Sequence, residues 1–379
     1  MARATRHAAP PLAPRSNTSE QHGAASRDRG RRPLRSRRGV ARAGARVRRR
    51  SAEREPNRLV GLAERAGSAA GMSALSRARL SVIVSTYDWP EALDVVLRGL
   101  SEQEGGAFEV VVAEDGAGPE TADVVDRWRA ARAFPIEHVW QPKAGWRKAR
   151  VLNLAGLSAE GGYLLFLDGD AIPRRGFLRA IRRCILPGWF LASKRLHLSQ
   201  EFSRRVLEER LPVWRWSAAH WLAHTPRELL TSHREARSPG ALLPLRDRRR
   251  PWRSAQPEFS PPYEGYGFCF GFSRADFERA NGFDMRFVGW GGEDEDLAAR
   301  LRRMGLRCGW PGPRATMLHL WHPAKKGTMP SNAPLVRETK TSGRIEAVEG
   351  LRELAAELEG QVSANRVGSS SPVSEPEKR

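Results

Sequence analysis

Three cysteines in 379 residues, none in C-x-x-C spacing, leave this chain with neither a disulfide framework nor a thiolate zinc site. Cys184, Cys269 and Cys308 lie far apart, which suits a reducing compartment. Long apolar runs are also missing. No stretch approaches the roughly 20 apolar residues that a membrane span requires, and the arginine-rich start lacks the apolar centre of a secretory signal. The expected setting is therefore the cytoplasm, free or peripheral to the inner face of the membrane. Lysine is absent from residues 1–75, which hold eighteen arginines against five acidic residues and so carry +13 of the formal +21. With few large apolar side chains and no period, the first 71 residues cannot bury enough surface to offset their ordering entropy. They read either as a basic arm for nucleic acid or anionic lipid, or as a leader upstream of a true start at Met72. Their charge does not make the rest of the chain a nucleic-acid binder.

What is present begins near Leu80. The run Leu80-Ser81-Val82-Ile83-Val84-Ser85-Thr86 has the apolar, β-branched character of a buried parallel strand. Pro90 opens a helix with apolar residues at Leu93, Val96, Leu97 and Leu100. Strand signals recur at 108–113, 136–140 and 163–167, with helices expected over 119–131 and 146–157. Such alternation predicts an α/β fold with a doubly wound, mostly parallel sheet. Ligands of these sheets bind beyond the carboxyl ends of the strands. Those ends carry Thr86-Tyr87-Asp88, Glu114-Asp115 and Asp168-Gly169-Asp170. Residues 200–262, with four tryptophans and a basic run at 246–250, break the alternation and read as an insertion, helical over 200–224 and then a loop. A second block follows, with strands at 268–273 and 316–320 and a helix over 293–304.

Asp168 and Asp170 flank a glycine on a turn, so both carboxylates can face one hard cation such as Mn²⁺ or Mg²⁺. Strand-end Asp pairs also form ordinary turns. Glu293-Asp294-Glu295-Asp296 opens an amphipathic helix after Trp290-Gly291-Gly292. Acids in a first turn complement the helix dipole, yet four in a row exceed that need, and one of them can take a proton from a hydroxyl. Trp290 offers a sugar-stacking face or a core side chain. His319 and His322 offer an imidazole to a metal or a structural hydrogen bond. Lys143, Arg147, Lys148 and Arg150 surround a helix start, where they meet phosphates or form a solvated face.

Together these residues resemble the family-2 glycosyltransferases, with a second block similar to the C-terminal module of the β-1,4-galactosyltransferases and chondroitin-polymerase-like enzymes. The resemblance covers roughly residues 80–322. It rests on Val82-Ile83-Val84-Ser85-Thr86-Tyr87, Glu114-Asp115-Gly116, Leu167-Asp168-Gly169-Asp170 and above all Gly289-Trp290-Gly291-Gly292-Glu293-Asp294. It implies a GT-A fold, one large domain with an insertion, and an inverting, metal-dependent transfer from a nucleotide-sugar, UDP first, to an acceptor hydroxyl. Cell-surface polysaccharide or glycoconjugate synthesis is the setting it suggests, with no nucleic acid as partner. By resemblance Thr86, Asp88, Asp115, Lys143, Arg147 and Asp168 line the donor nucleotide. Asp170 binds Mn²⁺ or Mg²⁺, with Asp168 beside it and His322, or His319 in reserve, completing the shell. Asp294 matches the catalytic base and Glu293 the residue that holds the acceptor. Trp290, Gly291 and Gly292 match the acceptor platform. Galactosyltransferase-like relatives have methionine where this chain has His319.

The implied division is a basic segment (1–75), a nucleotide-sugar-binding half (78–190), an insertion or linker (191–262), an acceptor-binding and catalytic half (263–325), and a C-terminal helix with a mobile tail (326–379). Two other readings stay open. A nucleotidyltransferase also uses strand-end acids and a metal, but Thr86-Tyr87-Asp88-Trp89-Pro90 is no Gly-rich phosphate loop. A non-catalytic carbohydrate- or nucleic-acid-binding protein would use the tryptophans and arginines, and leaves both acidic clusters without a purpose.

Overall fold

The computed structural model describes residues 79–224, 252–253, 269–323 and 329–368. The basic segment up to residue 78, most of 225–268 and the tail after 368 lie outside the described residues, so the readings made for them have no structural counterpart here.

Four parallel strands form the first half: β1 (Leu80–Thr86), β2 (Phe108–Asp115), β3 (Ile136–Gln141) and β4 (Tyr163–Asp168). Three helices cross between them: α1 (Pro90–Ser101), α2 (Pro119–Ala131) and α3 (Lys148–Ser158). Pro90 and Pro119 stand in the first turn of α1 and α2, where a missing N–H costs nothing. In register, Leu80 lies opposite Phe108 and Tyr163, and Ser85 opposite Ala113 and Asp168, so the strand ends form one rim. Side chains alternate across the sheet. Val82, Val84, Val110, Val112, Leu165 and Leu167 pack against α1 and α2. Ile83, Val111, Ala113, Leu164 and Phe166 pack on the opposite face against α3. Burial on both faces explains why these strands read as continuous apolar runs. The doubly wound α/β arrangement expected from the sequence is the one found.

The second half extends the same sheet. It adds β6 (Trp189–Ala192), β8 (Trp252–Arg253), β9 (Cys269–Ser273) and β10 (Arg307–Trp310), giving the order β3-β2-β1-β4-β9-β6-β10-β8. β9 runs antiparallel to both β4 and β6, a reversal that strand signals alone do not encode. Between β4 and β9 come α4 (Phe177–Arg182), α5 (Gln200–Glu208) and α6 (Ala218–His224). After β9 come α7 (Arg274–Arg279) and α8 (Glu293–Arg303), then α9 (Ala333–Ser342) and α10 (Leu351–Gly368). A small second sheet, in the order β5-β11-β7, joins β5 (Ala171–Ile172), β7 (Arg195–His197) and β11 (Met317–His319). The helical reading of 200–224 has its counterpart in α5 and α6. The span 191–262, however, is no simple insertion, because β7 and β8 lie inside it and belong to the two sheets. Residues 326–379 supply two described helices where one was expected.

Candidate functional site

The rim of the sheet collects the predicted residues into three groups. At β1 and β2, Thr86 is buried and Tyr87 stacks on Trp146 with ring centroids 4.8 Å apart. Asp88 follows with φ at 47°, a left-handed position that Asp tolerates better than most residues, and it is ion-paired to Lys143. The Lys143 ammonium lies 5.3 Å from the Tyr87 ring centre. Asp115 is buried, accepting from Gln141 Nε2 at 2.7 Å and from the Arg147 backbone N–H at 2.5 Å. Each oxygen keeps a further lone pair for a ligand. Arg147 thus serves Asp115 through its main chain, while its guanidinium donates to Pro142 O at 2.6 Å. Glu114 turns inward instead. It is buried between His138, at 2.8 Å, and the Gly118 N–H, at 3.1 Å, so it holds the entry to α2 and stays off the rim.

The second group grows from the turn after β4. Gly169 does not need a left-handed φ. It is required because its N–H donates to Ser85 O at 2.7 Å, and a Cβ there would sit 2.6 Å from that oxygen. The close approach splits the two acids. Asp168 accepts from Lys148 Nζ at 2.7 Å. Burial opposes its charge, but Lys148 outweighs burial and holds its pKa below the usual value. Asp170 faces the small sheet, where its backbone carbonyl accepts from the Leu320 N–H at 3.0 Å. Its carboxylate lies 3.5 Å from His319 Nε2 and 3.4 Å from His322 Nε2. Burial, and then the charge of Asp168, push the Asp170 carboxyl up to about 6.

Asp170, His319 and His322 offer ligand atoms within 4.8 Å of one another, the one such metal-competent group among the described residues. Buried Asp170 Oδ1 and His319 Nδ1 have no hydrogen-bond partner. Two orphaned polar atoms beside a set of carboxylate and imidazole donors are costly unless something binds them, so the residues fit a cation. Burial, and then Arg195 and His322, lower the His319 pKa to about 3, keeping it the neutral imidazole a metal requires. Asp168, also expected at the metal, stands outside this group on Lys148.

The third group opens α8. Gly292, at φ 103°, occupies the residue before the helix, and a Cβ there would meet the Phe287 ring at 2.8 Å. The loop is braced by bonds from the Gly289 N–H to Trp146 O, from the Met329 N–H to Trp290 O, and from Asn332 Nδ2 to Gly291 O, all between 2.8 and 3.0 Å. Trp290 is half-buried. Of the four acids, Asp296 is structural: fully buried, it accepts from Arg300 Nε at 2.8 Å and from Thr339 Oγ1 at 2.6 Å. Glu293 turns back toward the sheet, 3.9 Å from Lys148 Nζ. Burial and the Asp294 charge push its carboxyl up to about 7, against the pull of Lys148. Asp294 is half-buried beside it and accepts from the Glu295 N–H at 3.0 Å.

Lys148 therefore joins two groups that lie 125 positions apart in the chain, as Asp168 and Glu293 do. Burial opposes its charge, yet the facing carboxylates outweigh burial and hold the ammonium pKa above its usual value. The sequence reading left Lys148 among four cations and missed this bridge. It also missed Gln141, which positions Asp115, and His197, whose ring lies 4.7 Å from that of His319. The spacing of Arg195 and His197 on a short strand was a readable signal for a shared face; the strand they would lie beside was not.

Residues 81–184 match the family described as glycosyl transferase family 2, and residues 249–323 match the one described as the N-terminal domain of galactosyltransferase. The validoxylamine A glucosyltransferase of Streptomyces hygroscopicus subsp. jinggangensis is 29% identical over 60% of this chain and 52% of its own length. Human β-1,4-galactosyltransferase 2 is 44% identical over 15% of each chain. The chain spans about half the length of the first of these relatives. Staphylococcus aureus TarS 1–349, solved in complex with UDP-GlcNAc, superposes with a TM-score of 0.48 at 15% identity, covering 77% of this chain and 73% of that one.

Proposed function

The chain is a family-2 glycosyltransferase by sequence, with a galactosyltransferase-like C-terminal segment, and on that premise we propose that it transfers a hexosyl or N-acetylhexosaminyl group, with inversion, from a nucleotide-sugar to an acceptor hydroxyl. One observation carries the reading. A carboxylate and two imidazoles fit for a cation, and a pair of carboxylates fit for a proton, lie on one rim, and Lys148 bridges Glu293 of the pair to Asp168, two residues before the metal-group Asp170. A nucleotidyltransferase needs the first group and has no use for the second; a binding module needs neither.

In this reading Tyr87, Asp88 and Asp115 hold the nucleotide, UDP by preference, and Asp170, His319 and His322 would hold the divalent cation. Imidazole donors rank Mn²⁺ above Mg²⁺. When bound, that cation supplies positive charge to a departing diphosphate. Asp294 accepts the acceptor's proton. Glu293, its carboxyl raised to about 7, donates a hydrogen bond to the acceptor or its neighbour in its protonated form. Lys148 keeps Asp168 ionised and fixes Glu293 relative to the donor side. Trp290 stands at the acceptor entrance. Positioning contributes most of the rate, since no covalent intermediate is required. No described helix is long and apolar enough to cross a membrane. Three buried free thiols suit the cytoplasm, where surface polysaccharides or glycoconjugates begin.

The test is a melting series on the full chain with UDP, GDP and dTDP, each with and without Mn²⁺. A nucleotide at 100 times its dissociation constant adds about 2.7 kcal/mol of stability. The reading expects one nucleotide to stabilise only with the metal present, and Asp170→Asn to abolish that stabilisation. No response to any nucleotide would refute it.

A further inference from the structure

Of the four cations around the start of α3, Arg150 has no part in the donor site described so far. Its guanidinium, in the first turn of the helix, joins two side chains. Nη1 donates to Gln141 Oε1 at 2.9 Å, and Nη2 donates to Glu357 Oε1 at 2.7 Å. Glu357 stands on α10, 207 positions later in the chain, and the same oxygen accepts from Gln361 Nε2 at 3.0 Å, one turn further on. Leu351, Leu354 and Leu358 seat α10 in the buried cluster that also holds Val151, Leu154 and Ala155 of α3.

The other end of the Gln141 amide faces the nucleotide side. Its Nε2 donates to Asp115 Oδ1 at 2.7 Å and to Arg147 O at 3.1 Å, while the Arg147 N–H donates to Asp115 Oδ2 at 2.5 Å. Asp115, Gln141 and Arg147 therefore close a ring that grips both carboxylate oxygens. Turning the amide over would set Oε1 against a carboxylate and a carbonyl, and its NH₂ against a guanidinium, so all three contacts would be lost. Arg150 selects the working orientation by offering Oε1 a charged donor. Glu357 in turn holds Arg150.

We infer that Glu357, through Arg150 and Gln141, sets the aim of Asp115 and with it the preference for a nucleobase that offers an N–H. Uracil presents an N3–H, which a fixed carboxylate accepts; cytosine presents a bare N3, which the same carboxylate repels. A carboxylate that can turn loses the first contact and softens the second. Gln141, Arg150 and Glu357 are positioning residues, since each reaches the base only through Asp115. The C-terminal helix is thereby part of the donor site, by way of two other side chains.

The inference rests on the nucleotide reading, so the experiment separates the two. UDP and CDP binding to the full chain is measured by calorimetry with Mn²⁺ present. Arg150→Met should weaken UDP by ~10-fold, the size of one charge-assisted bond, and CDP by less than about twofold, so the preference for UDP falls. Glu357→Ala should give the same selective loss, smaller in size. The double variant should match Arg150→Met alone, because both substitutions cut one chain of bonds. Arg150→Lys should recover part of the preference. Apo melting identifies any variant that fails to fold, and Glu357→Ala, at a side chain 43% exposed, then carries the test. Equal wild-type affinities for UDP and CDP, equal losses for both, an unchanged UDP affinity, or additive losses in the double variant would overturn the relay alone. A wild-type chain that binds no UDP would take down both readings.

Discussion

The turn at 168–170 and the helix start at 293–296 are both short acidic runs on one rim, yet their carboxylates are treated in opposite ways. In the turn, one acid is compensated at the rim itself and the other is left exposed to the site: Asp168 has Lys148, while Asp170 has a buried oxygen without a partner and two imidazoles beside it. In the helix, the compensated acid points away from the rim: Asp296 is sealed among Arg300, Thr339 and Arg344, while Glu293 and Asp294 crowd one another at the mouth. The first arrangement asks for a cation, and the second for a proton. Residue type does not decide this. The distant side chain that arrives beside each carboxylate does.

The largest expected effect tests the proton end. Asp294→Asn keeps the shape of the helix start and removes the proton acceptor, so turnover should fall by about 10²–10⁴-fold with donor binding intact. Initial rates together with UDP affinity measure both. Full turnover in this variant would move the base elsewhere and dissolve the contrast between the two runs.

The structural acid of the same run predicts a different phenotype. Arg300 is fully buried, bonded to Asp296 and to the carbonyls of Ala280, at 2.6 Å, and Gly282, at 2.9 Å. Arg300→Met strips the main counter-charge from a buried carboxylate and leaves two carbonyls unpaired. The expected cost is about 3–5 kcal/mol in denaturant unfolding, with the folded fraction still active at low temperature. A loss below about 1 kcal/mol would mean that Arg344 and Thr339 already satisfy Asp296.

These cases also mark what the sequence could reveal. The strand Leu80–Thr86 was legible because a strand buried on both faces must be apolar throughout, and α1 and α2 because Pro90 and Pro119 sit where only a helix start accepts them. The acids at 168–170 and 293–294 were legible as clusters. The fate of each carboxylate was not. Asp296 and Arg300 stand four apart, a readable pair, but Thr339 and Arg344 reach the same carboxylate from another element. Glu114 looked like a rim acid until His138, two positions off its register on β3, claimed it. His319 meets His197 only because β7 and β11 pair in parallel, a contact between strands 122 positions apart that no local pattern specifies. Long-range pairing, more than element type, was the missing information.

The smallest effect sharpens the comparison through pH. Burial and Asp294 push the Glu293 carboxyl up to about 7 in the folded chain, from an ordinary 4.5 that the unfolded chain should show. Between those values the folded state holds a proton that the unfolded state has released. Stability from this group is therefore complete below about 4.5, falls as pH rises through the interval, and is fully lost above about 7. Asp170, raised to about 6, adds a slope of the same sign, so wild type and variant must be compared and not read alone. In metal-free buffer Glu293→Gln should flatten the fall by on the order of 1–3 kcal/mol, leaving the part due to Asp170 in place. Denaturant unfolding at pH 4.5, 6 and 7.5 gives the difference directly. If that difference stays constant across the interval, Glu293 has ordinary acidity, and the proton end of the rim is compensated as fully as Asp168 is.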